Sequence, residues 1–240
     1  MNDEFLLDVR DLERRFGGVR ALAGVNLRLK RGEMRCLIGP NGAGKSTFFK
    51  MLTGQLRPNS GHILFEGVEI AQKERHEISR LGIGIKNQVP SVFDGVSVYE
   101  SLWLAAASRV QSRSVEHVVD EVLERLALGS IAHVPVGLLA HGQRQWVEFG
   151  MVMALQPRLI LLDEPTAGMS QEEVKRAATL IRELNQRASL IVVEHDMQFI
   201  RDIAGMVTVF HQGSILMEDT MANVQKDPRV REIYLGRGDA

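Results

Sequence analysis

The sequence has almost no cysteine, no long apolar run and no excess of charge of either sign, and each shortage excludes something. A single cysteine, Cys36, stands in 240 residues, so no intrachain disulfide can form and the chain fits a reducing compartment. No stretch approaches the roughly 18 apolar residues of a membrane-spanning helix. The opening MNDEFLLDVRD is acidic and lacks the basic-then-apolar layout of a secretory signal. The formal net charge is -1, so there is no overall basic field to draw nucleic acid, and none is expected as a partner. Internal repeats, low-complexity tracts and long linkers are also missing. The remaining composition, 45% hydrophobic and 25% charged, is that of a globular chain long enough to bury a substantial core. Contact with a membrane protein stays open, because it requires no charged surface.

The apolar pattern predicts an α/β fold. FLLDVRDL and ALAGVNLRLKRGE alternate like short strands, with turns at Gly17-Gly18 and Arg31-Gly32. MRCLIG, RLILLD (158–163) and LIVVEHD (190–196) are continuous apolar runs, the signature of strands buried on both faces of a mainly parallel sheet. Cys36, inside the first of these, reads as inert core. Helical periodicity follows from Gly44 to Leu52 and dominates from Val98 to Leu155. There, Ser114 can cap a helix with Val118, Val119, Val122, Leu123 and Leu126 on one face. Ser170 and Glu173 form a capping box ahead of Val174, Ala177, Ala178, Ile181 and Leu184. MVTVF and SILMED read as a terminal hairpin, and Asp227-Pro228 opens a last short helix. In such sheets ligands sit beyond the carboxyl ends of the strands, so the polar residues after each apolar run should converge.

Two motifs lie at those ends. Gly39, Pro40, Asn41, Gly42, Ala43, Gly44, Lys45 and Ser46 fit G-x-x-x-x-G-K-[ST], and Thr47 continues the loop. Its glycines let backbone N–H groups curl around an anion at a helix start. Lys45 should reach the β- and γ-phosphates of ATP, and the Ser46 hydroxyl should bind Mg²⁺. Asp163 ends RLILLD, where an aspartate of a phosphate-loop ATPase holds the magnesium ion. Glu164 follows, placed to polarise an attacking water. The pair alone is weak evidence; beside a phosphate loop it gains meaning.

At LAHGQRQWVEFGMVMALQPRLILLDEP the chain resembles the ABC ATPase family, in which a signature sequence, often L-S-G-G-Q, precedes the aspartate strand. Here the signature reads Leu139-Ala140-His141-Gly142-Gln143. The resemblance runs from Phe5 to Gly236 and implies further roles. Phe16 matches the aromatic that stacks on adenine, Gln88 the glutamine that touches Mg²⁺ and senses the transmembrane partner, and Thr166 to Met169 the loop that crosses the dimer interface. His195 matches the histidine that contacts the γ-phosphate. Asn87 stands where the family often has Phe. Ala140 lacks the usual serine hydroxyl, and His141 replaces a glycine. HGQRQWVEFGM and DPRVREIYLG look most like the importer branch for branched-chain amino acids and urea or short amides, although the stretch between Gln88 and Leu139 is short for the urea members.

The resemblance implies one ABC ATPase domain over 1–240, with a mainly parallel sheet, an N-terminal antiparallel β portion and a helical insert at roughly 94–155. It further implies a head-to-tail pair, with itself or a paralogous ATPase subunit, in which each ATP lies between one phosphate loop and the facing signature, at Ala140, His141, Gly142 and Gln143. Two membrane permeases, an extracytoplasmic solute-binding protein and a place on the cytoplasmic face of the plasma membrane complete the expectation. Val89, Phe93, Val96 and Tyr99 are expected at the permease contact. The rivals are an ATPase of lipid or lipopolysaccharide export, a soluble ABC ATPase of DNA repair or translation, and a phosphate-loop kinase. The single cassette without heptads speaks against the second, and the signature with His195 against the third.

Overall fold

The three apolar runs lie side by side at the centre of the molecule. The computed structural model describes residues 5–88, 92–109 and 115–235. Strands β3 (Met34–Ile38), β7 (Leu159–Asp163) and β8 (Ser189–Val193) are joined by β6 (Ile83–Lys86), β9 (Met206–His211) and β10 (Ser214–Asp219) in a six-stranded sheet ordered β10-β9-β3-β8-β7-β6. All neighbours are parallel except β9 and β10, the predicted hairpin. Alternate residues face different cores: Leu37, Leu159, Leu161, Ile191 and Val193 join one cluster, and Cys36, Ile38, Ile160, Leu162, Leu190 and Val192 the other. Burial on both faces is why these runs show no polar alternation. Cys36 is buried; burial, aided by the charge of Glu194, pushes its thiol up to about 12, consistent with an inert residue.

The first core is closed by a second, antiparallel sheet, β1 (Phe5–Phe16), β2 (Val19–Lys30), β4 (Ser60–Phe65) and β5 (Val68–Glu69), in the order β2-β1-β4-β5. β1 and β2 are twelve residues each, longer than the short strands expected. Register shifts along β1 let one long strand bend over the core without breaking. Helix α1 (Lys45–Leu52) fills the space between the sheets with Phe48 and Phe49, and α2 (Arg75–Arg80) precedes β6.

The other core is covered by helices. α3 (Val98–Ala107), α4 (Val115–Arg125) and α5 (His141–Ala154) fall in the stretch expected to be helical. α4 buries Val118, Val119, Val122 and Leu123, as the spacing predicts; the proposed cap Ser114 lies outside the described residues. α6 (Gln171–Asn185) has the predicted capping box: Ser170 Oγ accepts from Glu173 N at 3.3 Å, and Glu173 Oε2 accepts from Ser170 N at 2.9 Å. Its face of Ala177, Ala178, Ile181 and Leu184 is buried. α7 (Met197–Ile203), α8 (Met221–Val224) and α9 (Pro228–Leu235) complete the fold.

One strand end differs from expectation. LIVVEHD leaves the sheet at Val193, not at Asp196. The Glu194 carboxylate accepts hydrogen bonds from the backbone of His195 and Asp196, and Asp196 caps α7 through Gln198 N and Phe199 N. These local bonds replace the ladder.

Candidate functional site

The phosphate loop turns directly out of β3. Gly39 has φ 148° and a Cβ there would run into the carbonyl of Phe210; Gly44 has φ 107° and a Cβ would lie 2.8 Å from both Ala21 O and Leu22 Cδ2. Neither position accepts a side chain. Ala43 is buried under the loop, Pro40 and Thr47 are half-buried, and Asn41, Gly42 and Ser46 are exposed. Lys45 opens α1 and folds back over the loop, its ammonium donating to Gly39 O at 2.5 Å and Pro40 O at 3.1 Å. Burial holds its pKa below the usual lysine value, with Glu164 and Asp163 opposing the shift. An ammonium parked on carbonyls can exchange them for phosphate oxygens.

Beside the loop stand the ends of β7 and β8. Burial and the adjacent Glu164 push Asp163 up to about 6, against the pull of Lys50 and Lys45. Glu164 takes a left-handed backbone, φ 43°, and its N–H bonds Val193 O at 2.9 Å. That turn swings its carboxylate away from Asp163's line and between two side chains. Gln88 Nε2 donates to Glu164 Oε2 at 2.7 Å, and His195 Nδ1 lies 3.5 Å from Glu164 Oε1. Five predicted residues, Lys45, Gln88, Asp163, Glu164 and His195, therefore meet at the strand ends. His195 itself is 72% exposed at its side chain, while its neighbour Glu194 is buried and accepts a hydrogen bond from Thr166 Oγ1 at 2.7 Å.

Phe16 closes β1 as an exposed ring with the Arg14 guanidinium 4.8 Å above it. Its hairpin is tied to the loop through Gly213, which accepts from Ala23 N at 2.8 Å and donates to Ala43 O at 3.0 Å. An exposed ring so placed can stack on a base.

The signature occupies the start of α5, apart from this cluster. Among the described residues no hydrogen bond or ion pair joins residues 139–143 to residues 39–47. Leu139 is buried and Ala140 is the N-cap of α5. Gln143 Oε1 accepts from Ala140 N at 3.0 Å, half of a capping box; Ala140 has no oxygen to complete it.

Sequence reasoning missed a buried polar group behind the signature. Lys86 of β6 and Gln145 of α5 are fully buried and hydrogen-bonded to one another, and Glu148 lies 3.4 Å from the Lys86 ammonium. The available signal was polar residues within otherwise apolar frames, IGIK and QWVEFGM. Missed too was Tyr234 of α9, whose hydroxyl meets the Gly39 backbone N–H; burial pushes it up to about 12, with that bond opposing. Of the expected permease-contact residues, Phe93 is 72% exposed, Val96 and Tyr99 are half-buried, and Val89 lies outside the described residues.

A strand–loop–helix phosphate cradle facing an Asp-Glu pair at the next strand ends defines a phosphate-loop nucleotide hydrolase. The ABC transporter family model matches residues 22–167. BraF of Pseudomonas aeruginosa, a high-affinity branched-chain amino acid transport ATP-binding protein, is 32% identical over 96% of this chain and 98% of its own length. LivG of Escherichia coli, with the same description, is 33% identical over the same shares. The ribose import ATP-binding protein RbsA 1 of Rubrobacter xylanophilus is 34% identical over 97% of this chain but 47% of its own length. Among solved structures, the ADP conformation of MJ1267, an ATP-binding cassette of an ABC transporter, superposes with a TM-score of 0.85 at 28% identity, covering 97% of this chain and 99% of that one. The chain belongs to the ABC transporter family, as its ATP-binding and ATP-hydrolysing subunit.

Proposed function

We propose that this subunit hydrolyses MgATP to drive uptake of a small polar nitrogen compound, a branched-chain amino acid, urea or a short amide. Residues 39–47 cradle the phosphates, with Lys45 on the β- and γ-phosphates. Ser46, Asp163 and Gln88 hold Mg²⁺. Their donors are all oxygens, the set a hard cation takes, and Gln88 spends its Nε2 on Glu164, which leaves Oε1 for the metal. Magnesium supplies charge neutralisation on the phosphates. Glu164 positions the attacking water, and His195 contacts the γ-phosphate. Phe16 stacks on adenine.

The observation that carries the reading is that Gln88 bonds the Glu164 carboxylate and His195 stands 3.5 Å from its other oxygen, beside Lys45 and Asp163. A carboxylate oriented in this way is prepared to polarise a water in line with a γ-phosphate. The signature stands apart from the phosphate loop within one chain, so a second subunit, identical or paralogous, supplies Ala140, His141, Gly142 and Gln143 across a head-to-tail interface. ATP then bridges two subunits and hydrolysis removes the bridge, the differential contact a switch needs.

The importer reading draws on the relatives' described roles in branched-chain amino acid transport. No helix among the described residues is long and apolar enough to cross a membrane. In this reading two permeases hold the subunit at the cytoplasmic face, and an extracytoplasmic binding protein delivers the solute. The exposed Phe93, with Val96 and Tyr99, forms the contact to the permeases. The test is uptake in a strain lacking this gene. Loss of amino acid, urea or short-amide uptake that wild type restores and Glu164→Gln does not is expected. Normal uptake of all three, with a defect in lipid export, would overturn the solute class.

A further inference from the structure

The signature departs from the common pattern at two adjacent residues, and the structure connects the two departures. Ala140 offers no hydroxyl. His141, one residue on, is exposed at the first position of α5, but one edge of its ring is held from inside.

The hold begins at Lys86. This side chain is fully buried, lies 5.1 Å above the Phe149 ring and 3.4 Å from Glu148, and bonds Gln145 Oε1. An ammonium has only donors, so the atom of Gln145 facing it must be the oxygen. The amide of Gln145 is thereby oriented without ambiguity, and its Nε2–H₂ points the other way, to His141 Nε2 at 3.3 Å. A donor there requires an acceptor, so His141 Nε2 carries a lone pair and the ring proton sits on Nδ1. The same edge faces the loop after Glu164: a Cβ on Gly168 would lie 3.2 Å from both Cδ2 and Nε2 of His141. The edge left open is the one with Nδ1, and no hydrogen bond to Nδ1 is made among the described residues.

We infer that His141 donates its Nδ1–H to the γ-phosphate of the ATP held by the facing subunit, in place of the hydroxyl that Ala140 lacks, and that Lys86 and Gln145 are positioning residues that select the tautomer able to do so. The inference rests on the head-to-tail reading above and assigns the donor atom within it. The chain of donors and acceptors is fixed at its buried end by a group with no acceptor, and this decides the outer end. A histidine without Gln145 behind it would populate both tautomers and rotate.

The test uses the full chain carrying Glu164→Gln, with ATP-dependent pairing followed by sedimentation and histidine tautomers read by ¹⁵N NMR. The parent should show the Nδ1–H form of His141, and Lys86→Met should mix the two forms. His141→Phe should weaken pairing by about tenfold or more, the worth of one hydrogen bond to a charged group. His141→Asn should retain pairing, because asparagine Nδ2 superposes on histidine Nδ1, whereas His141→Gln should not. In the His141→Asn chain, Lys86→Met should no longer affect pairing, an outcome that a merely structural role for Lys86 does not produce. An Nε2–H tautomer in the parent, or equal pairing by His141→Phe and the parent, overturns the inference. If the parent fails to pair with ATP at all, the head-to-tail reading falls and takes the phosphate contact with it, whatever the tautomer.

Discussion

Gln88 reaches across from the end of β6 to Glu164 at the end of β7, its Nε2 donating to Oε2 at 2.7 Å. β6 and β7 are parallel neighbours, paired from Ile83 with Leu159 to Lys86 with Leu162, so equal overrun past the last pair brings the two side chains together. The bond fixes the direction of the Glu164 carboxylate, which in the proposed mechanism positions the attacking water.

Glu164→Gln is expected to retain ATP binding and to lower turnover by about 10²–10⁴-fold, the range of a positioned general base. With ATP it should accumulate as a dimer on size measurement, and with ADP it should not. Wild-type turnover in this variant would remove Glu164 from the mechanism.

Lys45→Ala should weaken ATP binding by about tenfold to a hundredfold, the loss of charge-assisted bonds to the phosphates. Equilibrium titration of nucleotide checks this. The fold should survive, since among the described residues the Lys45 ammonium hydrogen-bonds to the carbonyls of Gly39 and Pro40 in its own loop.

Asp163 sets a pH dependence in the nucleotide-free chain. The native carboxyl holds its proton up to about 6, where the unfolded one releases it near 3.8. The native state thus binds more protons between these values, so this group's contribution falls as pH rises through the window and stays lower above it. Asp163→Asn should therefore raise the melting temperature above pH 6 and change little near pH 4. After discounting for screening at a partly exposed group, a gain of about 1 kcal/mol corresponds to about 2–4 °C. The same variant should lose Mg²⁺-dependent turnover. A variant no more stable at pH 8 would show that burial does not govern this carboxyl.

Ser170→Ala removes the acceptor for Glu173 N and should cost about 1 kcal/mol, a typical N-cap loss. Thermal unfolding measures it. Ser170→Asn should recover most of the loss.

Phe93→Ala should leave ATP binding and melting temperature unchanged, because the ring is exposed. Assembly with the permeases, followed by co-purification, should weaken by about 1 kcal/mol or more if Phe93 is an anchor. Tyr99→Ala should also lower stability, since Tyr99 packs against the core and its ring lies 6.0 Å from that of His133.

Local chemistry in the sequence was enough for the phosphate loop, the aspartate strand, the capping box at Ser170 and the buried faces of α4 and α6. Glycines at forced φ, continuous apolar runs and a Ser-x-x-Glu start each depend on neighbours a few residues away. The order of the strands was another matter. β4 to β6 passed unread because their apolar stretches are short or interrupted, and they are stabilised by pairing with strands distant in sequence. Where LIVVEHD stops being a strand was decided by Glu194 turning onto its own backbone inside a packed site. Tertiary structure alone joined Gln88 to Glu164 across 76 residues and Lys86 to Gln145 across 59. The apolar frame IGIK hints that its lysine is buried, but nothing local says that the signature helix lies over it. Its burial is tolerated because Gln145 and Glu148 meet its charge there, and that meeting exists only once β6 and α5 are packed.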